Sequence, residues 1–188
     1  MKESFKCVHF DRKTGGGLSD VKQFGVENAK KVNAFHKSFP EYSETPLREL
    51  KGLAAKLGVK GVYVKDESYR FGLNAFKVLG GSYAIAKYLC RRFNIPLGKD
   101  TFALMRSPEY SEQIKKIVFA TATDGNHGRG VAWFSSLIGC DAHVFLPAGT
   151  AAERLENIKI HYLSQHHLSA SKCIVLLCCF SLEITILQ

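Results

Sequence analysis

Two short segments concentrate the residue types that do chemistry. The first, Lys65-Asp-Glu-Ser-Tyr-Arg-Phe-Gly-Leu-Asn-Ala-Phe-Lys77-Val-Leu-Gly-Gly81, is a polar stretch ending in a lysine at the start of an otherwise apolar helix. A helix start disfavours a cation, and the neighbours Phe76, Val78 and Leu79 disfavour it further by desolvation. An amine placed there suits nucleophilic, Schiff-base chemistry; the bland alternative is a lysine that snorkels to solvent. The second segment, Thr121-Ala-Thr-Asp-Gly-Asn-His-Gly-Arg-Gly130, lies between an expected strand and an expected helix. Amides at such a helix start bind anions, and Gly125, Gly128 and Gly130 allow close backbone approach. Its G-x-x-G-x-G spacing is not the dinucleotide fingerprint, and no Walker lysine follows. From spacing alone the segment is a carboxylate or phosphate site, or a plain Asp-Gly turn and cap. Asp124 has the chemistry of a base, and Asn126 can orient a polar ring substituent.

Strands and helices must bring these segments together. Apolar spacing predicts a helix over residues 26–39, stopped by Pro40. Thr45-Pro46 reads as an N-cap followed by a first-turn proline, opening a helix over 47–57 that ends at Gly58. A short strand at 61–65, a loop over 66–75 and a long helix over 76–93 follow, while 100–115 gives no clear signal. Residues 117–121 are an apolar, β-branched run fit for a buried parallel strand, followed by a helix from about 127 to 138. The pattern repeats with a strand at 142–146 and a helix at 151–160 capped by Thr150. Strands alternating with helices over short connections predict an α/β fold, a three-layer parallel sheet with flanking helices.

Composition sets the frame. The chain has 188 residues, 46% of them apolar, enough for a core. Its 26 Lys and Arg against 17 Asp and Glu give a formal charge of +9, but the cations never run longer than two in a row. That is a solvated surface and not a nucleic-acid stripe. The six cysteines show no CxxC spacing, and the first residues lack the apolar core of a signal peptide. Free thiols in a reducing, cytoplasmic setting are therefore expected. The apolar stretch 173–187 is short for a membrane span and carries Glu183, so no membrane partner is expected. All 16 glycines lie at or before Gly149 and all five prolines at or before Pro147. This break sets off a tail (160–188) from what precedes it. The tail's apolar run reads as an orphan or aggregation-prone strand. His161, His166, His167, Cys173 and Cys178 match no metal-ligand spacing, so no metal is expected.

Residues 24–159 resemble the N-terminal part of the fold-type II pyridoxal-phosphate enzymes, the tryptophan synthase β-like family, which implies a domain over 24–159 behind an N-terminal extension (1–23) and before the tail (160–188). The resemblance rests on Ala34-Phe-His-Lys-Ser-Phe-Pro-Glu-Tyr42, Thr45-Pro-Leu47, the run from Lys65 to Lys77, Ala120-Thr-Ala-Thr-Asp-Gly-Asn-His-Gly-Arg-Gly-Val-Ala-Trp133 and Ala152-Glu-Arg-Leu-Glu-Asn157. It is nearest to the branch that eliminates ammonia from 2,3-diaminopropionate. What the resemblance implies is a pyridoxal 5'-phosphate cofactor held covalently by Lys77, with Asn126 on its phenolic oxygen. Thr123, Asp124, Gly125 and His127 would hold the substrate carboxylate, and Asp124 would take the α-proton. The implied reaction is α,β-elimination of an amino-acid substrate to pyruvate and ammonia by a homodimer. In that family the glycine-rich phosphate loop, the group facing the pyridine nitrogen and a second acidic base come from a later part of the chain, which the tail does not match. A noncatalytic piece of such an enzyme, and a sister enzyme acting on threonine or serine, are the alternatives.

Overall fold

The computed structural model describes residues 24–187 apart from 124, 148, 164–172 and 178–183, with the backbone alone from residue 160 onward. The N-terminal extension 1–23, Asp124 and the histidine and cysteine side chains of the tail lie outside the described residues. Helix α1 spans Val26–Lys37, the antiparallel pair β1 (Leu47–Glu49) and β2 (Tyr63–Lys65) brackets α2 (Lys51–Leu57), and a 3-10 turn covers Glu67–Gly72. The long helix α3 (Lys77–Phe93) follows, then α4 (Thr101–Met105) and α5 (Pro108–Ile114). Beyond them come β3 (Val118–Ala122), α6 (Asn126–Ile138), β4 (Asp141–Leu146), α7 (Ala152–Leu163), β5 (Cys173–Leu177) and β6 (Ile184–Leu187).

The larger sheet has the order β5-β4-β3-β6. β3, β4 and β5 run parallel, whereas β6 lies antiparallel on β3. The expected α/β architecture with parallel strands is what forms, with one antiparallel edge. The tail corrects the expectation of an orphan strand. Cys173–Leu177 pairs with Ala142–Leu146, and Ile184–Leu187 pairs with Val118–Thr121. The physical reason is that both edges of the β3–β4 pair present open backbone donors and acceptors, which any β-branched, apolar segment can complete.

The other correction concerns residues 47–57. The first three form strand β1, not the start of a helix, because Thr45 does not cap. Its Oγ1 donates to Glu67 Oε1 at 2.6 Å and accepts from Arg70 Nη2 at 3.1 Å. Leu47–Glu49 is then held in register by Tyr63–Lys65, and α2 begins only at Lys51. Thr150 likewise turns its hydroxyl back onto Pro147 O, and the first bonds of α7 reach Ala151.

The core lies where α1, α3 and α6 meet. Phe35 and Phe39 of α1 pack against Phe134, and Phe71 stacks on Trp133 with ring centroids 5.0 Å apart. A Cβ on Gly130 would stand 2.8 Å from Val78 Cα, so α3 and α6 touch backbone to backbone at that point. That contact fixes the start of α3, with Lys77, against the start of α6. Among the described residues no helix is long and apolar enough to cross a membrane.

Candidate active site

The approach to Lys77 is a strained and highly bonded turn. Asp66 Oδ1 accepts from Ser68 N and opens the 3-10 turn. Arg70, only 7% exposed, donates from Nε to Glu67 Oε2 at 2.8 Å, from Nη2 to Glu67 Oε1 at 3.0 Å and from Nη1 to Ser43 O. Lys65 Nζ donates to Thr45 O. The guanidinium beside Glu67 holds its carboxyl below the usual carboxylate range. Phe71 and Asn74 take φ of 50° and 53°, which is costly for a bulky aromatic and persists only when packing enforces it. Burial of the Phe71 ring between Trp133 and Phe39 supplies that enforcement.

Lys77 is the first residue of α3 and its side chain is exposed. The expected apolar cover of the amine does not form. Phe76 is 61% exposed, and Val78 turns into the core at 1%. Lys77 instead lines a cavity of about 210 Å³ with Gly125 and Asn126 from the start of α6, Arg129 one turn later, and Arg154 and Asn157 from α7. Burial pulls the Arg129 guanidinium below its ordinary value. His127 is half-buried, and burial, with the positive Lys77 nearby, lowers it too.

The loop before α6 is built by Thr123. Its Oγ1 accepts from Gly125 N at 3.2 Å and from Gly128 N at 3.3 Å, so the hydroxyl completes orphan donors at the helix start. Two of the three glycines read as an anion cradle serve packing instead. A Cβ on Gly128 would collide with Thr123 Cγ2 and stand 2.6 Å from Val144 Cγ1, and Gly130 abuts Val78. Gly125 alone opens on free space.

Of the residues expected from the sequence, the fold brings Lys77, Gly125 and Asn126 to one cavity. Thr123 is buried behind the loop, and His127 is not among the residues lining that cavity. Sequence reasoning missed Arg154 and Asn157. The available signal was their three-residue spacing, which puts both on one face of a helix, together with a cation placed in a helix first turn.

The Pyridoxal-phosphate dependent enzyme family matches residues 38–163. The diaminopropionate ammonia-lyase of Salmonella typhimurium is 52% identical over 130 residues, covering 69% of this chain and 32% of the relative. The enzyme of the same name from Escherichia coli K12 is 45% identical over 135 residues, covering 72% of this chain and 33% of the relative. The crystal structure of the holo Escherichia coli enzyme superposes with a TM-score of 0.72 at 41% identity, covering 88% of this chain and 39% of that one. The chain thus spans about a third of the length of the curated relatives it matches.

Proposed function

The chain belongs to the pyridoxal-phosphate dependent enzyme family, and from that premise we propose that the Lys77 cavity is the cofactor and substrate side of an ammonia-lyase site acting on 2,3-diaminopropionate. The observation that carries this reading is the convergence of an accessible lysine amine, the Asn126 side chain and the open Gly125 backbone on one polar cavity. Those residues fit pyridoxal 5'-phosphate: an amine for its aldehyde and an amide for its phenolic oxygen. When bound, the cofactor supplies the electron sink that acidifies the substrate α-proton. Lys77 holds the cofactor and later offers its amine as a base. Asn126 orients the ring, and the loop at Gly125, braced from behind by Thr123 and followed by His127, receives the substrate carboxylate. Asp124 takes the α-proton, and the β-amine departs as ammonia, leaving the three-carbon skeleton that hydrolyses to pyruvate.

The same reading includes a homodimer in the cytoplasm and the division of the chain into 1–23, 24–159 and 160–188. The test is the visible spectrum of the purified chain after addition of pyridoxal phosphate and removal of the excess, beside Lys77→Ala. A band present in the parent and lost in the variant supports the reading, and release of pyruvate and ammonia from 2,3-diaminopropionate faster than from serine or threonine then fixes the substrate. A folded chain with no band means that cofactor retention requires the further length present in the relatives, and the lyase reading of this chain fails.

A further inference from the structure

A polar pair, His36 and Ser82, lies in an otherwise apolar part of the core, at 3% and 0% exposure. The imidazole is ringed by Phe35, Phe39, Phe71 and Tyr83, with ring centroids 5.0, 5.8, 6.5 and 6.3 Å away. An apolar side chain would fill such a place without a desolvation cost, whereas a buried polar group is tolerated only when its hydrogen bonds are made. Where those bonds land therefore carries information.

They land on the first turn of α3. His36 Nε2 lies 3.1 Å from Leu79 O and 3.1 Å from Ser82 Oγ. Burial lowers the imidazole to about 4, so near neutral pH it carries one ring proton. A carbonyl oxygen can only accept, which puts that proton on Nε2, shared between Leu79 O and Ser82 Oγ. Ser82 Oγ in turn donates to Val78 O at 2.7 Å. The carbonyls of the two residues that follow Lys77 are thus tied to α1, Leu79 directly and Val78 through Ser82.

These bonds fix the rotation of α3 about its axis. Successive residues of an α-helix stand about 100° apart around that axis, so offering a different carbonyl to His36 would swing Lys77 away from the start of α6. The backbone contact of Gly130 with Val78 sets how closely the two helices approach, but apolar packing by itself does not choose among carbonyls. Selecting one register among several apolar packings is the best-attested use of a buried polar group. We propose that His36 is a positioning residue for Lys77: its Nε2–H, with the Ser82 hydroxyl, sets the first turn of α3 so that the lysine reaches the cavity it shares with Gly125 and Asn126. The role rests on the functional reading above only for the chemistry that Lys77 then performs.

The test compares the full chain with His36→Leu, His36→Gln and Ser82→Ala, each held well below its unfolding midpoint. NMR shifts of the Gly125 amide and the Asn126 side-chain amide report, without cofactor, whether the start of α3 stays against α6. Borohydride trapping of pyridoxal phosphate on Lys77 reports whether the amine is placed to react. His36→Leu is expected to move both amide signals and to slow labelling of Lys77 about tenfold, the worth of one hydrogen bond, with labelling of the other exposed lysines unchanged. His36→Gln, whose amide nitrogen donates where Nε2 did, restores both. Ser82→Ala, which removes a single oxygen, gives the same changes in milder form and carries the comparison should His36→Leu not fold. If Lys77 takes no label even in the parent while the amide signals move in His36→Leu and return in His36→Gln, the cofactor reading fails and the positioning role stands. Parent signals and parent labelling kept in every variant that folds, with only the urea midpoint lowered, make the contact purely structural and overturn the proposal, as does a His36→Gln variant that behaves like His36→Leu.

Discussion

Two clusters of charge flank the start of α3, and they are built on opposite principles. On one side Arg70 is buried with Glu67 at 2.8 Å and bonded to Thr45 and Ser43, so its charge is met within the protein. On the other side Lys77, Arg129 and Arg154 face a common cavity with no acidic group among its described lining residues. The closed cluster sets the geometry of the loop; the other borders a cavity. A charged group sealed in by its partners reads as scaffold, and polar groups that line a cavity read as a site.

The sharpest way to break the contrast is to open the closed cluster. Glu67→Ala strands the Arg70 guanidinium, itself only 7% exposed, and should destabilise the fold by about 3–4 kcal/mol, toward the low end for buried pairs because Glu67 keeps some solvent contact. Urea denaturation reads this directly, and a loss below about 1 kcal/mol would mean the pair is surface-like.

Acid tests the scaffold without mutation. His36 is buried, with Nε2 at 3.1 Å from both Leu79 O and Ser82 Oγ, and burial lowers it from 6.5 to about 4. The unfolded chain therefore takes up this proton first as pH falls. The stabilisation from a neutral His36 is complete above about pH 6.5 and is lost as pH falls through about 4, a change of up to about 3 kcal/mol. His36→Gln should flatten the stability profile between those values, and a profile that stays unchanged would rule His36 out as its cause.

Next in size is the contact that sets the start of α3 against α6. Gly130→Ala places a methyl 2.8 Å from Val78 Cα and should reduce stability by about 1–3 kcal/mol through forced separation of α3 and α6. Because that contact positions Lys77, cofactor uptake should fall in the same variant even where it remains folded. Arg154→Gln sits at the small end: on an exposed helix position it should alter stability by no more than about 0.5 kcal/mol while lowering cofactor uptake at the cavity it lines. A variant that lost fold and binding together would erase the distinction between scaffold and site.

What the sequence made legible follows the range of the interactions. Helices over 26–37, 77–93 and 126–138 and the strands at 118–122 and 141–146 were readable because hydrophobic spacing and neighbouring turn residues act locally. The start of β1 was misread because the Thr45 hydroxyl is taken by Glu67 and Arg70, more than twenty residues away. Pairing of the tail with both sheet edges was hidden for the same reason, since strand partners carry no local signature. In the site, Lys77, Gly125 and Asn126 stood out by type and position. Arg154 and Asn157 did not, because only the packing of α7 against α6 turns a helix face into a cavity wall. Gly128 and Gly130 looked like ligand cradles and are packing glycines, a distinction that depends on Val144 and Val78 lying opposite them.

The central claim, that the Lys77 cavity is where pyridoxal phosphate engages this chain, is tested most directly by trapping. The chain is loaded with a stoichiometric amount of pyridoxal phosphate, reduced with borohydride and mapped by peptide mass spectrometry. The account predicts a pyridoxyl label concentrated on Lys77 and diminished in the Arg129→Gln, Arg154→Gln double variant. Label spread evenly over the exposed lysines, or concentrated on a lysine other than Lys77, would contradict it.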